Sequence, residues 1–163
     1  MMRTFLSTLC VMAATLLAGA AQSDHAPVPR VLTESEFRKA MQELQSLDKR
    51  LRENIEEVAR ADLERMLLFE ATMTARADAA RIEEIMVDIG SFWRARKVND
   101  AASLSNDALM EAGNISKALA IIDLNSPSVA THAQTRLDKI CISCHAIYRE
   151  RLPDGTFRIK EIK

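Results

Sequence analysis

Two cysteines and a histidine stand close together near the C-terminal end of the chain, as Cys141-Ile142-Ser143-Cys144-His145. This C-x-x-C-H spacing is the pattern of covalent haem attachment. On a helix, positions 141, 144, 145 and 148 share one face, because steps of three and four residues return to the same side. Two thiols so placed can form thioethers to the vinyl groups of a haem, and the adjacent imidazole can reach the iron. The plainer readings of a C-x-x-C pair are a redox dithiol or half of a zinc site. A dithiol oxidoreductase sits in a βαβ context, and this chain has no strand pattern. Zinc needs two further ligands. His25 lies in the N-terminal lead-in, and His132 stands about 20 Å along a helix from His145. The expectation is haem c, tethered by Cys141 and Cys144, with His145 as proximal iron ligand.

The N-terminus supports that chemistry. Arg3, the apolar stretch from Phe5 to Leu17 and Ala18-Gly19-Ala20 read as a cleavable export signal over residues 1–20. The apolar stretch is too short for a confident membrane span. The 163-residue chain has three cysteines, and cleavage would remove Cys10 and leave only Cys141 and Cys144. An oxidising compartment threatens isolated thiols, so a lone pair there needs a covalent fate. A bacterial periplasm is the expected location.

These residues need a frame, and composition restricts it. Hydrophobic residues make up 48% and charged residues 28%, which is ordinary globular material. With four Gly, four Pro and 4% aromatics, an all-β sandwich or barrel is disfavoured. A net charge of −1 argues against a nucleic-acid binder. An all-α domain remains.

Periodicity divides it into helices. Thr33 and Glu36 have capping-box spacing, and Phe37, Met41, Leu44, Leu47, Leu51, Ile55 and Val58 follow as one stripe of a first helix over about 34–60. A second helix spans about 62–96, its stripe running through Leu63, Leu67, Met73, Ala77, Ile82, Ile85, Ile89 and Phe92. The division near 59–62 is weakly marked. Asn99 or Asp100 caps a third helix, with Leu104, Ala108, Ala112, Ile115, Leu119 and Ile122 inward, ending near Asn125. Gly113 weakens it by about 1 kcal/mol relative to Ala. Ser126-Pro127 starts the last helix, Pro suiting a first-turn position. Its face runs Val129, Ala133, Leu137, Cys141, Cys144 and Tyr148, and Pro153-Asp154-Gly155 ends it in a turn. Short links between four helices imply an antiparallel four-helix bundle over 33–150. A flexible lead-in over 21–32 precedes it, and a tail over 151–163 follows.

The segment Cys141–Arg149 reads C-x-x-C-H-x-x-Y-R, and here the sequence resembles the cytochrome c-prime family. Those are exported four-helix bundles that carry this motif on the fourth helix. The resemblance implies a periplasmic haem protein, often a dimer, with Cys141 and Cys144 as thioether positions and His145 as axial ligand. It also suggests that Arg149 pairs with a haem propionate or tunes His145. Arg38 is a second propionate candidate. Family members differ on the opposite face of the haem. Some are five-coordinate and bind small gases, and others hold a first-helix methionine and carry electrons in a low-spin state.

Five methionines follow the signal: Met41, Met66, Met73, Met86 and Met110. In an up-down-up-down bundle the end of the last helix lies level with the start of the first. Met41 then falls close to the height of His145, and Met66 and Met73 fall nearer the far end. Met86 and Met110 are also plausible in height. Met86 is on the diagonal helix, and Met110 lies off its stripe. Met41 is therefore the favoured second ligand, although methionine routinely fills irregular cores. Arg38 precedes Met41 by three residues where the family commonly has four, so Leu44 is the residue that could cover the iron instead.

Tyr148 is expected against the haem or a neighbouring helix, Trp93 in the core or a subunit interface, and His132 on the surface. Arg94-Ala95-Arg96-Lys97 reads as a solvated helix end. The leading function is a one-electron carrier between periplasmic redox partner proteins, not an enzyme. No stable membrane insertion after cleavage is expected, and a homodimer is a family-based expectation. The alternatives are a five-coordinate haem protein binding nitric oxide or carbon monoxide, and a haem-free structural or metal-binding bundle. Fold alone does not choose among them.

Overall fold

The computed structural model describes residues 29–60, 65–120 and 126–160. The expected export signal over 1–20, most of the expected lead-in, Leu63 and Ile122 lie outside the described residues. Four helices pack against one another: α1 Glu34–Val58, α2 Arg65–Ala95, α3 Asn99–Ala120 and α4 Ser126–Tyr148. A two-stranded ribbon follows, β1 Arg149–Arg151 and β2 Phe157–Ile159. The expected all-helical frame holds, and this ribbon is an addition to it.

Helix α1 starts at the expected capping box. Thr33 N donates to Glu36 Oε2 at 2.7 Å, and Glu36 N donates back to Thr33 Oγ1 at 3.3 Å. Two of the helix's orphan donors are thereby satisfied at once. Leu32 just before the cap is buried, and Arg30 clasps Asp88 on α2 through both its backbone N–H and its guanidinium. Arg30 and Leu32 thus tie the last residues before the cap to the bundle. The α1 stripe is buried as expected at Phe37, Leu44, Leu47, Leu51, Ile55 and Val58, with Met41 half-buried.

The first half of α2 departs from expectation. Leu67, Met73 and Ala77 are exposed, and the buried face runs through Ala71, Thr72, Ala75, Asp78 and Ala79 before Ile82, Ile85 and Ile89. The buried side chains there are small, so the bulky apolar residues that mark a core face elsewhere lie outside it. Polar burial is compensated: Arg50 on α1 holds both carboxylate oxygens of Asp78, with Nε to Oδ2 at 2.8 Å.

Helix α2 ends in a Schellman turn. Val98 N donates to Trp93 O, Lys97 N donates to Arg94 O, and Lys97 takes the left-handed conformation at φ 61°. The chain then turns directly into α3, whose first bond runs from Ala102 N to the carbonyl of Val98. Asn99 and Asp100 therefore lie inside the first turn rather than at the cap. On α4, Ala130 is buried and Val129 is 51% exposed, one position off the expected face.

Helix α2 packs extensively on α3 and α1, and α3 on α4. The seam between α1 and α4 is by far the thinnest of the four. Leu51, Ile82, Ile115, Leu119 and Leu137 are almost fully buried, each such side chain contributing about 1.5–3 kcal/mol. No described helix is long and apolar enough to cross a membrane.

Candidate haem-attachment site

Cys141, Cys144 and His145 lie on the last two turns of α4, all half-buried. Both thiols are free and pack at the edge of the core. Ile142 and Ser143 between them are exposed, as the helical period requires when 141, 144 and 145 face inward.

Burial pushes the Cys141 thiol up to about 12, with Asp48 and Asp138 adding to the effect. Burial likewise raises Cys144 to about 11. A reactive dithiol needs the opposite, a depressed thiol pKa in electropositive surroundings. Burial, followed by the nearby Arg149 charge, lowers the pKa of His145 and favours the neutral imidazole. Among the described residues, no group of three or more His, Cys, Asp and Glu side chains is placed to hold a metal ion. His132 is exposed, its Nδ1 2.7 Å from the carbonyl of Ser128.

The α1–α4 seam carries a polar network just below the cysteines. Gln134 Nε2 donates to Asp48 Oδ1 at 2.7 Å, and Arg52 bridges Asp48 at 3.1 Å and Asp138 at 2.9 Å. These links set the register of the two antiparallel helices. From the Asp48–Gln134 link, Met41 is seven residues away and His145 eleven; from the Arg52–Asp138 link, the counts are eleven and seven. At about 1.5 Å per residue the two mismatches cancel, so Met41 and His145 stand at nearly the same height.

The other methionines are placed differently. Met73 is 46% exposed, and Met110 is 58% exposed with Asn106 Nδ2 3.8 Å from its sulfur. Met86 is buried in the core on the diagonal helix α2. The side chain of Met66 lies outside the described residues.

The end of the bundle beyond this level is closed by aromatic rings. Phe37 and Phe92 stack at 4.1 Å, and Trp93 meets Phe37 at 5.4 Å and Tyr148 at 5.2 Å between ring centroids. Trp93 is core, as expected, and Tyr148 packs across the bundle on Trp93 of the diagonal helix α2 rather than on a neighbouring helix. The ribbon then folds back over the end of α4. Lys160 N donates to Tyr148 O, and Lys160 Nζ donates to Ala146 O at 2.9 Å. Those carbonyls belong to the last turn of a helix, which has no internal donors for them. The ribbon's turn depends on Gly155 at φ 83° and on the Asp154 carboxylate, which accepts from Thr156 N.

The two arginine candidates are otherwise engaged. Arg38 pairs with Glu34 at 2.6 Å on the exposed side of α1, and the guanidinium of Arg149 lies 3.3 Å over the ring of Phe157.

Sequence reading missed two buried groups near this site. Trp93 Nε1 and Gln134 Oε1 are buried without hydrogen-bond partners among the described residues. Only the packing of α1, α2 and α4 discloses them, since neither residue belongs to a motif. A shallow cavity of about 460 Å³ lies elsewhere, lined by Glu83, Met110, Gly113 and Lys117 among others. No protein-family model, curated protein or solved structure matches the chain.

Proposed function

We propose that this chain is a periplasmic c-type cytochrome that carries single electrons between redox partner proteins. The observation that carries the reading is the shared, half-buried face of Cys141, Cys144 and His145, which stands level with Met41 across the thin α1–α4 seam. Cys141 and Cys144 would form the two thioethers, and His145, favoured in its neutral form, would present a nitrogen to the iron. Met41 would offer its thioether sulfur from the opposite side. When bound, haem supplies the one-electron iron couple, and Met/His ligation raises its potential. The rings of Phe37, Phe92, Trp93 and Tyr148 shield that end of the bundle from water.

The high thiol pKa values disfavour a redox dithiol, and the lack of a third ligand beside them among the described residues disfavours zinc. A second reading has one observation in its favour. Leu44 is 7% exposed on the same stripe, whereas Met41 is only half-buried, so Leu44 covering the iron would leave a five-coordinate, gas-binding haem.

Absorption spectra of the protein exported from cells competent in cytochrome maturation test both. Sharp reduced bands insensitive to carbon monoxide support the electron carrier. Broad bands that shift with carbon monoxide support the gas-binding form, and absence of covalent haem refutes both.

A further inference from the structure

Trp93 carries an indole N–H that is buried and unmatched. The side chain is 2% exposed, and Nε1 finds no acceptor among the described residues. Phe37, Phe92 and Tyr148 surround the ring. An unmet buried donor costs about 1–3 kcal/mol, so each one in a native structure needs a reason.

The position of this donor suggests the reason. Trp93 touches Tyr148, which follows His145 by three residues on the same face of α4. Trp93 therefore packs on a residue one helical turn beyond the one assigned to the iron. Haem c bears two propionate carboxylates, and a carboxylate is the strong acceptor that a buried N–H lacks. The arginines at this end have other contacts: Arg38 holds Glu34, Arg149 covers Phe157, and Arg96 lies 3.6 Å over Phe92.

We infer that Trp93 donates its indole N–H to a haem propionate and so fixes that carboxylate at the aromatic end of the bundle. The inference rests on the haem reading above. It gives α2 a role in holding the group, although the tethering and ligating residues all lie on α4 and α1.

The chain has a single tryptophan, so nitrogen-15 labelling of that residue yields one indole N–H resonance without ambiguity. In the haem-loaded protein, reduced and saturated with carbon monoxide where it is high-spin, the proton should be shifted downfield and exchange slowly. In Trp93→Phe, the haem-loaded protein should show the propionate bending band of its resonance Raman spectrum displaced. An indole proton at the position of a free N–H, or a propionate band unmoved by the substitution, overturns the inference. The wild-type measurement decides the matter even if the variant fails to fold. Intact mass separates the two levels of the argument. A chain carrying covalent haem with a free indole N–H refutes the role of Trp93 alone, and a chain without haem refutes the haem reading and this role with it.

Discussion

Replacing Met41 by Leu separates ligation from packing. Met41 is half-buried against the core and belongs to a stripe whose other members are buried. Leu keeps most of its volume, and such swaps usually cost less than about 1.5 kcal/mol. For a domain of this size that is a fall in Tm of under about 6 °C. The fold, and with it the proposed haem attachment through Cys141 and Cys144, should therefore survive. What Leu cannot supply is the sulfur. If Met41 closes the sixth position, Met41→Leu should turn a low-spin spectrum high-spin and admit carbon monoxide to the reduced protein, with a fall in midpoint potential. The assay is visible absorption before and after carbon monoxide, run beside a thermal melt of the same sample. Leu44→Met is the matching control, since Leu44 is more deeply buried on the same stripe. An unchanged low-spin spectrum in Met41→Leu would refute the register argument. So would a wild-type protein that is already high-spin.

Three further outcomes test the frame. Leu137 is 1% exposed on α4, one turn before Cys141, so Leu137→Ala should cost about 2–5 kcal/mol and lower Tm by roughly 5–15 °C. Gly113 sits inside α3, where an added Cβ would meet only the carboxylate end of Glu83 at 3.4 Å; Gly113→Ala should raise stability by about 0.5–1 kcal/mol in denaturant melts. Glu111 clamps α3 to α4 by accepting two bonds from Arg136 at 2.8 Å. The Arg136 bonds, with help from Asn114, outweigh burial and hold its carboxyl below the ordinary 4.5. A depressed carboxylate pKa stabilises the fold above the ordinary value and ceases to as pH falls through the depressed one. Glu111→Gln should therefore cost at most about 1 kcal/mol at pH 7, since water screens the exposed Arg136 side of the pair, and the gap to wild type should narrow as pH falls below the ordinary 4.5 and through the depressed value. A gap that persists at low pH would mean that the clamp acts by packing rather than by charge.

Helices with a consistent apolar stripe were legible because each face repeats every three to four residues and one face is buried. This held for α1, for the second half of α2 and for Ala108, Ala112, Ile115 and Leu119 on α3. It failed over Leu67–Ala77, where the buried face is built from small side chains and residue size misleads. The ribbon over 149–159 was missed because strands of three residues carry no readable period, and its pairing depends on the end of α4 already being in place.

The sequence by itself determined the candidate chemistry. C-x-x-C-H is a local spacing, and one helix suffices to bring Cys141, Cys144 and His145 to one face. It also determined the capping box at Thr33 and a helical frame, because both depend on neighbours within a few residues. Tertiary structure alone decided how those residues are surrounded. The heights of Met41 and His145 follow from Asp48, Arg52, Gln134 and Asp138 meeting across 86 residues of chain. The raised thiols and the unmatched indole of Trp93 likewise depend on burial among helices distant in sequence. Desolvation and unmet hydrogen bonds are properties of the packed bundle, and no local pattern encodes them.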